Sequence, residues 1–338
     1  MSTDNAGIAR ILNIFTRSLS GYVLIAADQS GLIPFLAAHP EGLTIEELAR
    51  ERSFEPRLTA LVLHVLGHLE LVEAHGDRFR ATEVAARHLD PSKPAYCGGW
   101  LNFLYAGREF SFGKLGEYLT AGSAPAPQSN YDENTDILRF MMSAWGPIGT
   151  AAADAFVRRT DLSGARRILD LGAGNGAFTI AALSAVPEAT ATAIDLPYQV
   201  EALQAHVDAA GLSDRVEVVA GDVLEGDLPS GYDTVFLNNV LHAWDPSRYA
   251  KALASCAAAL RPGGTIHIRE HMLDGFGPEH RVEPALTALG IVTTGGQGGA
   301  TDVGDFRNLL HESGFGEVTV EPLPDQPDCS HLITGRRL

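Results

Sequence analysis

Apolar positions recur at helical spacing from the start of the chain. Between Ile8 and His39, Ile11, Ile14, Phe15 and Leu19 fall on one side, followed by Leu24, Ile25 and Ala26, then by Leu32, Phe35 and Leu36. One small layer cannot bury that much apolar surface, so these helices should pack under the next domain or against a second subunit, with a homodimer as the preferred use. A further helix begins after Thr44, which with Glu47 three residues later forms a capping box. The next, from about Glu55, should bury a stripe of Leu58, Leu61, Val62, Val65, Leu66 and Leu69. Leu71 to Ala74 and Arg78 to Ala81 then predict two short strands around the turn His75-Gly76-Asp77, which completes a winged-helix pattern over residues 1–98.

Residues 99–160 read as a helical linker rich in aromatics: Trp100, Phe103, Tyr105, Phe110, Phe112, Tyr118 and Tyr131, with small residues and proline between Ala121 and Asn130. Phe140, Met141, Met142 and Trp145 precede an alanine-rich helix to about Arg158. Ordinary core and interdomain packing explains most of these aromatics as well as the wall of an apolar ligand pocket does. Trp100, Phe103, Met141, Met142 and Trp145 are the candidate substrate contacts in this stretch. From residue 161 to 338 strands alternate with helices, which predicts a parallel sheet. The strands are Ile168–Leu171, Ala191–Asp195, Val216–Ala220, Thr234–Leu237 and Thr265–Glu270, the last after a turn at Arg261-Pro262-Gly263-Gly264, with a closing hairpin-like pair at Val318–Val320 and Leu332–Thr334.

The chemistry centres on the end of the first of these strands. Asp170, Gly172, Gly174 and Gly176 fill D-x-G-x-G-x-G, and Gly172, Gly174 and Ala177 also satisfy the G-x-G-x-x-G/A dinucleotide fingerprint. Glycines let the backbone approach a ligand, and the following helix points free N–H groups at the same place. A carboxylate at Asp170 opposes a pyrophosphate but suits a ligand carrying an ammonium and a sulfonium, so S-adenosylmethionine (SAM) is favoured over NAD. Asp195, with Leu196 beside it, ends the second strand where a carboxylate can accept ribose hydroxyls, which both cofactors would use. Gly221, Asp222 and Val223 follow the third strand, where Asp222 can accept from an adenine amino group or simply hold a turn. Asn238 and Asn239 follow the fourth, with His242 and Trp244 just beyond and Glu270 at the end of the fifth. Ligands of such sheets sit at these carboxyl ends.

A formal net charge of -17 and a pI near 5.0 disfavour phosphate backbones and anionic membranes as partners. Met1 to Ala95 holds nine Lys/Arg against twelve Asp/Glu, and the would-be recognition helix offers only Arg57 beside His64 and His68, so a DNA-binding regulator is the minor alternative. His64 and His68 have metal-ligand spacing without a third ligand and read as helix histidines; no metal site is expected. No apolar run approaches the ~20 residues that span a bilayer, and Met1 to Arg17 lacks a secretion-signal pattern, so a cytoplasmic location is expected. Cys97, Cys256 and Cys329 read as free thiols.

With these residues in view, the chain resembles the class I SAM-dependent small-molecule O-methyltransferases, the family of plant caffeate and acetylserotonin-type and bacterial natural-product enzymes. The resemblance rests on the N-terminal winged-helix pattern, Asp170-x-Gly172-x-Gly174-x-Gly176, Gly221-Asp222, Leu241-His242-Ala243-Trp244, Arg261-Pro262-Gly263-Gly264 and Glu270. It implies an α/β fold: a Rossmann-like, mostly parallel sheet with one antiparallel strand, behind a mostly helical winged-helix dimerisation domain. It further implies a SAM cofactor, an aromatic or polyketide-like small-molecule acceptor, His242 as general base and Glu270 as the acid that holds it. Trp244 is read chiefly as packing the turn and is kept with Asn239 among the substrate contacts. Two positions depart from the family pattern. Ala243 stands where an aspartate usually follows the histidine, and Gly295-Gly296-Gln297-Gly298-Gly299-Ala300-Thr301 lacks the usual second carboxylate, for which Asp302 and Asp305 are the candidate replacements. Nitrogen or carbon acceptors, and the non-methylating hydroxylase or pericyclase chemistry of some relatives, therefore stay open.

Overall fold

The computed structural model describes residues 5–108, 111–121, 135–224, 228–276, 282–293, 296–324, 326 and 328–338, and only the backbone of 135–139. Phe110, Tyr131, Gly295 and the small-residue loop to Asn130 lie outside the described residues. The chain divides into two compact units, Met1–Ala106 and Gly107–Leu338, the boundary falling within the stretch expected as a linker.

The first unit holds α1 (Asn5–Gln29), α2 (Leu32–Ala37), α3 (Ile45–Arg52), α4 (Pro56–His68), β1 (Val72–His75), β2 (Arg78–Ala81), α5 (Glu83–His88) and α6 (Gly98–Gly107). The capping box forms as expected: the Thr44 hydroxyl accepts from the Glu47 N–H and the Glu47 carboxylate from the Thr44 N–H. At α4, Glu55 caps from outside and Pro56 occupies the first turn, where its missing N–H costs nothing. The core joins Ala27, Ile33, Leu36, Leu48, Leu63, Leu66, Val72 and Ala85. The stripe expected on α4 is thus rotated: Thr59, Leu63 and Leu66 are its buried residues, whereas Leu58 and Leu61 are 63% and 57% exposed. Leu69 is exposed as well. With leucine or valine on every side of α4, periodicity alone could not choose the inward face.

α1 also corrects the sequence reading. Ile8, Ile11, Leu12, Ile14, Phe15 and Leu19 are 46 to 69% exposed, and burial begins only at Ile25 and Ala27. By length and composition this 25-residue helix could cross a bilayer, contrary to the expectation that no segment could. Arg10 and Arg17 interrupt its apolar residues, and a guanidinium near the centre of a span costs about 2.5–3.5 kcal/mol on insertion scales.

In the second unit, α7 (Leu115–Ala121) and α8 (Thr135–Arg159) precede β3 (Arg167–Leu171), α9 (Ala177–Ala185), β4 (Thr190–Asp195), α10 (Val200–Ala209), β5 (Val216–Ala220), β6 (Tyr232–Asn238), α11 (Tyr249–Ala259), β7 (Leu260–Glu270), α12 (Glu283–Thr293), α13 (Val303–Glu312), β8 (Phe315–Pro322) and β9 (His331–Arg337). The sheet has seven strands in the order β5-β4-β3-β6-β7-β9-β8, parallel except for β9, which runs against both its neighbours. This is the expected fold class. The inner strands are nearly continuous apolar runs because both faces are covered. Leu169, Leu171, Val235, Leu237, Ile266 and Ile268 join the core that includes Leu253 of α11 and Phe306 of α13. Their alternates Ile168, Ala191, Ala193 and Phe236 pack with Phe156 of α8, Leu183 of α9 and Leu203 of α10. One expected turn is strand instead: residues 261–264 lie within β7, where the register against β6 shifts between Tyr232 and Thr234 and Gly263 takes φ 77°.

Candidate functional site

At the end of β3, Gly172, Gly174 and Gly176 all have positive φ, at 70°, 59° and 78°. A Cβ on Gly172 would come within 2.6 Å of Val240 Cγ2, on Gly174 within 2.9 Å of Met142 Cε, and on Gly176 within 2.7 Å of Leu203 Cδ1. Backbone conformation therefore favours glycine at all three positions, and at Gly172 the stiff Val240 side chain leaves no space either. Gly176 opens α9 without a side-chain cap, so the helix start keeps N–H groups for a ligand.

The carboxylates at this end of the sheet are held by main-chain and hydroxyl donors. Asp195 accepts from the Gly174 N–H at 2.6 Å and from the Leu196 N–H at 2.7 Å, and burial raises its pKa. The Gly221 N–H in turn donates to the Asp195 carbonyl. Asp170 shares its face with Ile168, so it points beneath the glycine turn toward α9, is 1% exposed and accepts from the Thr179 hydroxyl at 2.5 Å. Burial pushes it up to about 7. Asp222 is exposed and accepts from the Leu224 N–H, with Val223 buried beside it. Asn238 is buried, and neither end of its amide has a partner among the described residues. Buried amides normally are paired, so this one fits a polar ligand at the β6 end.

On the other side of β6, a short turn over Leu241–Ala243 presents His242. Its Nδ1 lies 2.8 Å from Glu270 Oε1, and its main-chain N–H donates to Oε2 at 3.1 Å. A carboxylate only accepts, so Nδ1 carries the proton and Nε2 is left with its lone pair. Burial drives the His242 pKa down, but the Glu270 charge and hydrogen bond outweigh it and the net shift is upward. Burial likewise opposes ionisation of Glu270, while His242 and His271 hold its pKa below the ordinary value. With Glu270 buried and His242 part-exposed, the pair can accept a proton from a ligand and stabilise the resulting imidazolium.

Met142 meets Gly174 as described, and Gly149 packs on the Trp145 indole one turn along α8; Met141 and Trp145 are half-buried. Trp244 packs against the core beside α11. Asn239 is held within the protein: its Nδ2 donates to Asp328 and its Oδ1 accepts from Arg269. Trp100 and Phe103 stack on α6 of the first unit, centroids 5.3 Å apart.

The glycine-rich run also differs from expectation. A Cβ on Gly298 would overlap the His242 carbonyl oxygen, so that position admits no side chain, and Asp302 and Asp305 are exposed at the start of α13. The carboxylates that raise the His242 pKa are Glu270 and Asp328. Asp328, its partner Arg269 and the neighbouring His271 were not anticipated. His271 adjoins Glu270 in the chain and could have been noticed; Asp328, in a loop 58 positions further on, carried no motif.

A family model described as an O-methyltransferase domain matches residues 117–316. A 3-hydroxy-5-methyl-1-naphthoate 3-O-methyltransferase from Streptomyces sahachiroi is 32% identical over 302 residues, covering 87% of this chain and 86% of that protein. The tetracenomycin polyketide synthesis 8-O-methyl transferase TcmO of Streptomyces glaucescens is 26% identical over 99% of this chain and 98% of its own length. Among solved structures, human N-acetylserotonin methyltransferase in complex with SAM superposes with a TM-score of 0.80 at 22% identity, covering 100% of this chain and 99% of that one.

Proposed function

This chain belongs to the O-methyltransferase domain family, and we propose that it moves the methyl group of SAM to a hydroxyl of an aromatic or polyketide-like small molecule with His242 as general base. The observation that carries this reading is the His242–Glu270 pair at 2.8 Å, set across the β6 end from the glycine turn. Relatives at 32% and 26% identity named for naphthoate and polyketide acceptors support the substrate class.

SAM supplies, when bound, a methyl carbon already activated by its sulfonium, so the protein has to orient the acceptor and remove its proton. Gly172, Gly174 and Gly176 with the start of α9 would hold the cofactor's amino-acid portion. Asp195 has lone pairs left for ribose hydroxyls, and Asn238, Asp222, Leu196 and Val223 line the ends of the neighbouring strands. A phenol near pKa 10 is barely ionised at neutral pH, and His242 Nε2 takes its proton as the new bond forms. Glu270 keeps the Nδ1–H tautomer and offsets the charge that develops on the ring. Met142 and Trp145 supply apolar wall beside the glycine turn, with Met141 on the same helix.

Assay of a hydroxynaphthoate and polycyclic phenol panel with SAM should give a product heavier by one methylene; conversion without that gain would assign the site to non-methylating chemistry. His242→Ala should bind S-adenosylhomocysteine (SAH) as the wild type does in calorimetry while turnover falls by about 10²–10⁴. Wild-type turnover in that variant would remove the base assignment. The N-terminal unit, with its helices and β1–β2 wing, is read as a winged-helix dimerisation domain in which a second copy covers the exposed Ile11, Ile14, Phe15 and Leu19 of α1.

A further inference from the structure

We propose that Asp328 and His271 form a second acid–imidazole pair that positions the His242 base, taking the place of the carboxylate missing from the glycine-rich run. The inference deepens the reading of His242 as base and rests on it. The topology brings Asp328 in: β8 runs parallel to the inner strands and β9 returns, so their connection, closed by the Leu323 N–H to the Ser330 carbonyl at 2.9 Å, lies at the carboxyl end of the sheet.

Asp328 is fixed there. Its Oδ1 meets Arg269 Nη2 at 2.5 Å and the Ser330 hydroxyl at 3.2 Å, and its Oδ2 accepts from Asn239 Nδ2 at 3.2 Å. Arg269 is itself 1% exposed, and Asn239 holds a φ of 56° while accepting from Arg269 Nη1 and donating its N–H to the Arg269 carbonyl. A buried ion pair adds little net stability over an apolar replacement. Its consequence here is placement: a rigid carboxylate held against the imidazole of His271, Oδ2 to Nε2 4.0 Å.

His271 links this carboxylate to the base. Its main-chain N–H donates at 2.8 Å to Glu270 Oε1, the oxygen that also takes the His242 Nδ1 proton. Its ring lies 5.4 Å from the His242 ring, and its buried Nδ1 has no partner among the described residues. The His271 ring, with Asp328 behind it, therefore limits the tilt of the His242 ring that would break its Nδ1 bond to Glu270. The other ionisable groups acting here are Glu270 and Arg269 of β7, Tyr249 of α11 and His331 of β9. A divalent cation is the competing explanation, because the donor atoms of His242, Glu270 and His271 lie within 4.8 Å of one another. Against it, both Glu270 oxygens already accept N–H bonds.

The test is ¹⁵N-histidine NMR of the full chain with SAH bound, which needs no acceptor and so fails or succeeds independently of the methyl-transfer assay. Wild-type His242 should titrate as the Nδ1–H tautomer. Asp328→Asn should lower its protonation midpoint by about half a pH unit or more. His271→Gln, which leaves the Arg269–Asp328 pair intact and so keeps the test valid if the first variant fails to fold, should admit the Nε2–H tautomer. An unchanged His242 tautomer in His271→Gln, or an unchanged midpoint in a folded Asp328→Asn, overturns the proposal. So does a wild-type spectrum in which zinc shifts both histidines and EDTA reverses the shift, because the cluster would then be a metal site.

Discussion

Replacing Asp170 by asparagine should stabilise the protein more at pH 8 than at pH 5. The carboxyl is buried beneath the glycine turn, and its folded-state pKa is raised from an ordinary 3.8 to about 7, by burial first and the Asp195 charge as a lesser cause. The sign follows from proton binding. Between these two values the folded state holds a proton that the unfolded chain has released, so stability falls as pH rises through the window and is fully present only below it. From the two pKa values, ionisation of Asp170 opposes folding by about 1.5 kcal/mol at pH 5 and about 4 kcal/mol at pH 8. Asparagine accepts the Thr179 hydroxyl hydrogen bond without titrating, so the stability difference between variant and wild type should become more favourable by about 2.5 kcal/mol from pH 5 to pH 8. Chemical denaturation of both proteins at each pH measures this directly. Parallel pH curves would refute the burial argument. Adding SAM should narrow the gap at pH 8 more than SAH does, because the sulfonium charge is the part SAH lacks and a cation nearby favours the ionised carboxylate.

The glycine turn makes an ordering testable by thermal melts. Gly172→Ala combines a left-handed backbone strain of about 1–2 kcal/mol with overlap on the stiff Val240 side chain, about 1–3 kcal/mol more. Gly174→Ala meets only the movable end of Met142, so it should lose about 1–2 kcal/mol, essentially the strain alone. Equal losses would mean that Val240 does not set the limit. Phe15→Asp combined with Ile11→Asp on α1 should convert a dimer to monomer in light scattering while leaving the melt of the second unit unchanged; a wild type that is monomeric at working concentration would reject the interface.

Much of this was legible because it depends on local pattern. The capping box at Thr44, the D-x-G-x-G-x-G turn and the apolar strands state their conformation within a few residues, and the parallel character of the sheet followed from their alternation with helices. His242 and Glu270 were paired through the family resemblance, and both lie at the carboxyl ends of neighbouring strands of the sheet. What escaped the sequence depends on direction or on distant pairing. The inward face of α4 is undetermined when leucine and valine occupy every side. Nothing near Asn239 in the chain shows that Arg269 and Asp328 hold its amide. Asp328 itself is invisible until β9 is known to return antiparallel beside β7.

The two halves of the site have opposite electrostatics, and that difference identifies which half awaits a charged ligand. Burial opposes ionisation of Glu270 and Asp328, but both have lowered pKa values because the protein supplies partners for their charge, the imidazoles and N–H bonds of His242 and His271 for one, Arg269 for the other. Asp170 and Asp195 are raised, by burial, with only N–H and hydroxyl donors opposing it. Carboxylates buried without a protein cation are costly to ionise unless a ligand brings the charge. A pyrophosphate would add to that cost; the ammonium and sulfonium of SAM reduce it. The reacting half needs no such help, since its anions already hold the imidazole that takes the proton. The same D-x-G-x-G-x-G turn that in isolation admits either cofactor is selective in this setting because of what lies beneath it.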